Sequence, residues 1–323
     1  MQKIAIVGVG GMGTVHFNNY AQINEAEVKA VVGPSEDDRQ KAANWGVKIY
    51  PTVEELLVAE EVDIVDICTP TFLHVEHALK ALNAGKNIII EKPVALHEED
   101  AERIFALASE MDAQVFVGQV LHFTREVEIL KEAVRSEKYG KVLDAYFTRL
   151  TAAPNWVQGG WMFDKEKSGL LPFDLHIHDL DLIISLFGRP ESYSFNAAGR
   201  KESEFKEHYR FNYNFGDLNV GAEAAWFNAN YPFTACWRVY FEQGLLVKEE
   251  GLTFYPPEGD PVEFDIESEP KIETGINLPP TAMFYHELSH FIDCAEKGVT
   301  TDRMTKKELI TTVEILEEIA GLQ

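Results

Sequence analysis

The segment "DLHIHDLD" sets Asp174 and His178 four residues apart. On a helix that spacing puts both side chains on one face. A carboxylate and an imidazole so placed can act together on a hydroxyl proton near neutral pH, or hold a metal with a third group. The plainer reading is a polar helix face, which suits Asp179 and Asp181. A helix so dense in His and Asp favours a site. "HELSH" at 286–290 fits H-E-x-x-H. There His286 and His290 suit zinc, and Glu287 suits the base for a metal-bound water. Lys92, in "EKP", ends an apolar run. At a strand end an ammonium can donate to a substrate oxygen and help move its proton; otherwise it is a surface lysine in a turn. Finally, Gly8, Gly10 and Gly13 form G-x-G-x-x-G.

These residues need elements to hold them. "KIAIVGV" reads as a buried strand running into the glycines, and a helix follows from about Met12 to Ile23. That is the context in which the glycines carry chemistry. Gly8 allows the tight turn, Gly10 lets the backbone approach a pyrophosphate, and Gly13 lets helix and strand pack closely. The helix N-terminus then offers N–H groups to phosphates. Further Val/Ile-rich strands alternate with helices up to residue 121. This predicts a parallel sheet covered on both faces. "TVEELLVAE" opens with Thr52 as a cap and Glu55 three residues on. Lys92 falls at the carboxyl end of one of these strands, where open α/β sheets bind ligands.

After residue 121 the pattern changes. "PFDLHIHDLDLIISLF" reads as one helix, with Pro172 near its start and Gly188 past its end. In "HYRFNYNF", Tyr209, Phe211, Tyr213 and Phe215 share one strand face. The expected fold is α/β. A Rossmann dinucleotide-binding domain spans 1–121, and 122–323 form an α/β domain with a largely antiparallel open sheet. The two C-terminal amphipathic helices are free to pack back on the first domain.

The balance of 29 Lys and Arg against 53 Asp and Glu gives a net charge of −24. So acidic a chain excludes nucleic acid and anionic membranes as partners. Three scattered cysteines suit reduced thiols. With no leader and no long apolar stretch, the expectation is a cytoplasmic protein.

For NAD, an acid belongs at the end of the second strand, about 20 residues past the glycines. Gly33 stands there, followed by Pro34 and Ser35. Ser35 can donate to a hydroxyl or a phosphate, and Arg39 can reach a 2′-phosphate. Glu36, Asp37 and Asp38 crowd the same turn and disfavour a phosphate dianion. NAD or NADP is therefore expected, with a lean to NAD, and Gly33→Asp should strengthen it.

Four segments in this order resemble the Gfo/Idh/MocA oxidoreductases over essentially the whole chain. They are "GVGGMGTVH" at the start, "ICTPTFLH" at 67–74, "EKP" at 91–93 and "GGWMFDKEKSGLLPFDLHIHDLDL" at 159–182. The resemblance implies a nicotinamide-dependent enzyme that oxidises a secondary hydroxyl of a sugar or polyol, or runs the reverse reduction. It places the family's catalytic Lys, Asp and His on Lys92, Asp174 and His178. It adds Gly11, Met12, Thr69, Pro70, His74 and Glu91 to the cofactor contacts. The C-terminal sheet commonly makes oligomer contacts, which implies a homodimer or homotetramer. Departures are Thr71 where Asn is frequent, His122 where Arg is frequent, and the reduced glycine cluster "SGLLPFD". His176 stands where a small residue is usual, and Gly33 where an acid is.

His122 and Trp161 join Lys92, Asp174 and His178 as substrate candidates, with Tyr146 weaker. His178 is expected to accept the hydroxyl proton while Lys92 orients the oxygen and Asp174 polarises its neighbours. Lys92 as the main acid/base stays open. In the family, "HELSH" falls on a structural helix without metal, so no metal is expected. The rival readings are a zinc hydrolase and a non-catalytic dinucleotide sensor. The sensor would keep the glycines without needing Lys92, Asp174 and His178 together.

Overall fold

The computed structural model describes residues 1–155, 158–276 and 278–322. Within it the chain forms two compact units, Met1–Phe123 with Ser268–Lys306, and Thr124–Glu267 with Lys307–Gln323.

The first unit opens with β1 (Gln2–Val7), α1 (Gly11–Tyr20), β2 (Ala26–Val32) and α2 (Glu36–Trp45). It continues through β3 (Lys48–Tyr50), α3 (Val53–Ala59), β4 (Ile64–Ile67), α4 (His74–Asn83), β5 (Asn87–Glu91), α5 (Glu98–Glu110) and β6 (Val115–Gly118). The strands form one parallel sheet in the order β3-β2-β1-β4-β5-β6. Ile4, Ile64, Val65 and Ile88 to Ile90 are fully buried, as expected of strands covered on both faces. The order reverses between β1 and β4, which is where such sheets open a crevice at their carboxyl ends. Thr52 caps α3 by accepting from the Glu55 N–H at 3.3 Å. The first helix is shorter than its pattern suggested. It stops at Tyr20, and the next turns are closed by Gln22 N–H to Asn19 O and Ile23 N–H to Tyr20 O.

The second unit starts with α6 (Arg125–Arg135), β7 (Val142–Ala152), α7 (Lys165–Ser168) and α8 (Ile177–Phe187). Seven strands follow: β8 (Ser192–Ala198), β9 (His208–Phe215), β10 (Leu218–Phe227), β11 (Thr234–Phe241), β12 (Gly244–Lys248), β13 (Leu252–Tyr255) and β14 (Val262–Phe264). Together with β7 they form a sheet ordered β14-β13-β12-β11-β7-β10-β9-β8, antiparallel except where β7 meets β10. Tyr209, Phe211 and Tyr213 do share a face, and it is the buried one. α9 (Met283–Lys297) belongs to the first unit and α10 (Lys306–Ala320) falls almost wholly in the second. Among the described residues no helix is long and apolar enough to cross a membrane.

The expected single helix over 172–187 departs from uniform α geometry. Pro172–His176 form one π turn, closed by the Ile177 N–H on the Pro172 carbonyl, before α8 begins. Phe173 packs directly against the backbone of left-handed Gly169, where a Cβ would lie 2.2 Å from its ring. Such wide turns are rare and recur at functional sites.

Candidate functional site

The glycine turn follows β1, and its three glycines meet three different environments. Gly8 has φ +99°, and a Cβ there would lie 2.8 Å from the Cys68 carbonyl oxygen. A Cβ on Gly13 would lie 2.0 Å from the Gly8 oxygen. A Cβ on Gly10 would meet nothing within 4 Å. Two glycines are therefore dictated by close packing, and the third faces open space. Gly10 begins α1 and has no side chain to cap it. The first-turn N–H groups stay available to an anion, with the helix dipole behind them. Gly11 and Met12 form that first turn, and Met12 packs against the buried cluster of Val15, Val120 and Phe284. Lys41 of α2 donates to the Val9 carbonyl at 2.9 Å, which sets a cation beside the turn.

The loops after β4 and β5 are tied to each other. His74 lies 2.7 Å from the Pro93 carbonyl through Nδ1 and 2.9 Å from the Thr69 carbonyl through Nε2. Burial lowers its pKa, against the two carbonyls, which raise it. His74 thus clamps the loop of Thr69 and Pro70 to the loop of Lys92. Glu91 is buried beneath Lys92. One of its oxygens accepts from the Lys92 N–H at 3.1 Å, and the other meets His16 Nε2 at 3.1 Å. His16 Nδ1 lies 2.7 Å from Asp66, which also accepts from Tyr20 at 2.9 Å. Burial opposes a charge on His16, but Asp66 more than reverses this and holds its pKa well above the usual value. Burial likewise pushes Glu91 up, and His16, with Lys92, brings it below its ordinary value.

His122 is buried, with Nδ1 3.0 Å from the Arg303 carbonyl. Ser35 caps α2 by accepting from the Asp38 N–H at 3.1 Å. Arg39 pairs with Glu36 at 2.8 Å.

In the second unit, residues 171–184 are buried with two exceptions, Asp174 and His178. Asp174 lies on the π turn and His178 on the first turn of α8. Asp179 and Asp181, expected on a polar face, are both buried. Burial holds the Asp179 carboxyl above its ordinary value against the pull of Arg149. Arg149 of β7 grips it in a fork, at 3.1 and 2.9 Å. His176 is also fully buried. It stacks on Phe211 with centroids 3.7 Å apart and shares a 2.7 Å hydrogen bond with Tyr213. Trp161 lies half-buried on the short helical segment 158–163 of the same unit. Tyr146 alternates with Ala145 and Phe147 and faces away from the side on which Arg149 reaches Asp179. It lies under Arg238, 4.9 Å from ring to guanidinium, and so does not share a face with that helix.

Residues 2–119 match an oxidoreductase family with an NAD-binding Rossmann fold, and 127–247 match the GFO/IDH/MocA C-terminal domain. The chain belongs to the GFO/IDH/MocA oxidoreductase family. It is 31% identical to glucose-6-phosphate 3-dehydrogenase of Bacillus subtilis over 58% of this chain and 54% of that protein. It is 27% identical to the rhizopine catabolism protein MocA of Rhizobium meliloti over 80% and 81%. The chain spans about half the length of most curated relatives it matches, MocA being an exception. A levoglucosan dehydrogenase solved with NADH and levoglucosan has the same fold, with a TM-score of 0.84 at 17% identity over 99% and 97% of the chains.

Within this family member, "HELSH" divides its two histidines and its glutamate among separate tasks. His286 meets Ser268 at 3.2 Å, and His290 meets Thr301 at 2.9 Å. Glu287 is fully buried, and neither oxygen has a hydrogen-bond partner among the described residues. Burial raises its pKa well above the ordinary value, with Glu91 adding to the effect, so the carboxyl is held neutral. Among the described residues, the metal-capable grouping found is His16, Asp66 and Cys68, none of them from this motif. The 2.7 Å from His16 to Asp66 is a hydrogen-bond length. Tetrahedral zinc ligands at about 2.0 Å stand roughly 3.3 Å apart.

Sequence reasoning did not join His16, Asp66, Glu91 and Glu287 into one buried set, and it missed Lys41. His16 and Glu91 each sit inside a quoted motif, which was the available signal. Glu287 was read with its helical neighbours, whereas its electrostatic partners lie in α1, β4 and β5.

Proposed function

We propose that the protein is an NAD(P)-dependent dehydrogenase acting on a CH–OH carbon of a sugar or polyol. One observation carries the reading. A helix run buried from 171 to 184 leaves only Asp174 and His178 part-exposed, four residues apart. Holding two ionisable groups part-exposed on an otherwise buried run has a use when they work on a substrate. The first unit serves the dinucleotide, and the glycine turn fits it. Gly8 and Gly13 make a cradle that a Cβ would fill, and Gly10 leaves room for a pyrophosphate. When bound, the nicotinamide supplies the hydride acceptor or donor.

The chain's own residues handle the proton and the oxygen. His178 accepts the hydroxyl proton. Lys92 donates to the substrate oxygen and stabilises the charge that develops there, with its backbone fixed by Glu91. Asp174 orients the imidazole. Of the other expected contacts, Gly11, Met12, Thr69 and Pro70 stand with the cofactor turn. His74, Glu91 and His122 act through the loops they anchor. Trp161 is a sugar-facing candidate. Arg39, neutralised by Glu36, supports NAD over NADP. The sheet's outer face carries a cross-strand row of Tyr240, Leu245 and Tyr255, which supports a homodimer or homotetramer. Three free cysteines support a reducing compartment such as the cytoplasm.

A panel of polyols, sugars and keto-sugars with NAD and NADP tests the reading through absorbance of the reduced nicotinamide. Wild type should turn over at least one member of the panel. Lys92→Ala should lose about 10²–10⁴ in rate while NADH binding stays near wild type. No hydride transfer across the panel, or near-normal turnover by Lys92→Ala, overturns it.

A further inference from the structure

β2 ends at Val32, and the next residue is the buried Gly33, whose N–H is bonded to the Tyr50 carbonyl at 3.1 Å. A strand-end carboxylate at this point would hold the adenosine ribose of NAD. Gly33 has none, but its side-chain space is occupied. An ideal Cβ on Gly33 would lie 2.6 Å from the Cβ of Asp38, 2.8 Å from its carboxyl carbon and 2.8 Å from Oδ2. Asp38 therefore sets a carboxylate, from the first turn of α2, against the place where a strand-end side chain would begin.

That carboxylate is held in position. Oδ2 accepts the Ser35 N–H at 3.0 Å while the Ser35 hydroxyl accepts the Asp38 N–H at 3.1 Å. The reciprocal pair fixes the side chain and leaves Oδ1 with no hydrogen bond from a described residue. Arg39 is already engaged within the turn. It donates to Glu36 at 2.8 Å and to the Pro34 carbonyl at 3.4 Å. Glu36 and Asp37 add two further carboxylates to the same turn.

We propose that Asp38 replaces the missing strand-end acid as the residue that accepts the adenosine ribose hydroxyls and makes this enzyme select NAD over NADP. The inference rests on the dehydrogenase reading and deepens it. The ribose diol donates to Oδ1, and Oδ2 keeps its bond to the Ser35 N–H. A 2′-phosphate on the same ribose meets three carboxylates and a cation already paired. On this proposal Gly33→Asp weakens NAD binding, whereas the expectation from sequence is that it strengthens NAD preference. A second acid at 33 displaces the one that serves.

The test is titration of wild type, Asp38→Asn, Gly33→Asp, Gly33→Asp with Asp38→Ser, and Asp37→Asn with NADH and NADPH. Thermal unfolding of each variant checks that it is folded. Wild type should bind NADH at least about tenfold tighter than NADPH. Asp38→Asn should weaken NADH about 10- to 100-fold, the worth of a hydrogen bond to a charged group, without weakening NADPH. Gly33→Asp alone should weaken NADH, and the double variant should recover it. Asp37→Asn should shift the ratio by less than about threefold, since an exposed neighbour supplies only screened charge. Wild type that prefers NADPH, or an unchanged ratio in folded Asp38→Asn, overturns the inference alone. Wild type that binds neither cofactor overturns the dehydrogenase reading and this inference with it.

Discussion

His16 in the first unit and His176 in the second are both fully buried, yet their surroundings drive them to opposite protonation states. Burial disfavours the imidazolium at both sites. At His16, Asp66 stands 2.7 Å from one nitrogen and Glu91 3.1 Å from the other, and the proton is retained. At His176 the partner is the Tyr213 hydroxyl, and Arg149 adds positive charge nearby. Its pKa falls to about 3 and the ring is neutral. Burial sets the size of the cost, and the partner decides which form bears it. The first unit keeps a charged set beneath the strand ends that carry Lys92. The second pairs Asp179 with Arg149 in a fork and sets His176 among stacked aromatic rings, with no carboxylate against the imidazole.

The largest break in this comparison is His16→Ala. It leaves Asp66 and Glu91 buried without their cation. Removing one partner of a buried pair costs about 3–5 kcal/mol. Urea unfolding at pH 7 should show that loss, and a variant within about 1 kcal/mol of wild type would mean the network is not charged. Nitrogen NMR of the ring sharpens the point, since at pH 7 His16 should show an imidazolium and His176 a neutral ring.

The next effect is a slope in pH. His16 and Glu287 both have folded pKa values above their unfolded ones of about 6.5 and 4.3. The folded state then holds a proton that the unfolded state has released. Stability is full below the unfolded pKa and falls as pH rises toward the folded one. The limit is about 1.4 kcal/mol per pH unit for each proton. Glu287→Gln should flatten this fall and raise the urea midpoint at pH 8 relative to pH 4. An unchanged slope would place the proton elsewhere. His176 gives the opposite sign. Its folded pKa is depressed, so stability falls as pH drops from about 6.5 toward about 3. The smallest effect is His176→Phe. It keeps a ring against Phe211, loses one hydrogen bond to Tyr213, and should cost about 0.5–1.5 kcal/mol near neutral pH. It should also remove its share of the acid slope. A cost above about 3 kcal/mol would show that the imidazole does more than stack and share one bond.

The parallel sheet was legible because buried strands leave near-continuous Val and Ile runs, and the glycine turn because close packing admits no Cβ at Gly8 or Gly13. The alternation in "HYRFNYNF" showed a face, and the structure supplied the core that it meets. What sequence could not show was any effect made by residues distant in the chain. Asp179 looked like solvated charge until Arg149, 30 residues earlier, appeared beside it. Glu287 looked like a metalloprotease base because its real surroundings come from α1, β4 and β5. Asp38 looked like one more acid in a helix first turn. Its placement over Gly33 depends on the angle at which α2 leaves β2, which no residue spacing encodes.

Because Ser268–Lys306 belong to the first unit, the order of synthesis matters to it. The sheet is complete in the chain at Gly118, but α9, which brings Phe284, Glu287 and Phe291 into the same unit, begins only at Met283. At about 5–20 residues per second the ribosome needs on the order of 10–30 s to cover that interval. Throughout it the first-made half exposes the apolar surface that Phe284 and Phe291 later cover. The whole second sheet is made while the first unit waits for its last helix. A nascent chain halted before α9 is therefore expected to be a chaperone client through its first unit, and the released full-length chain is not.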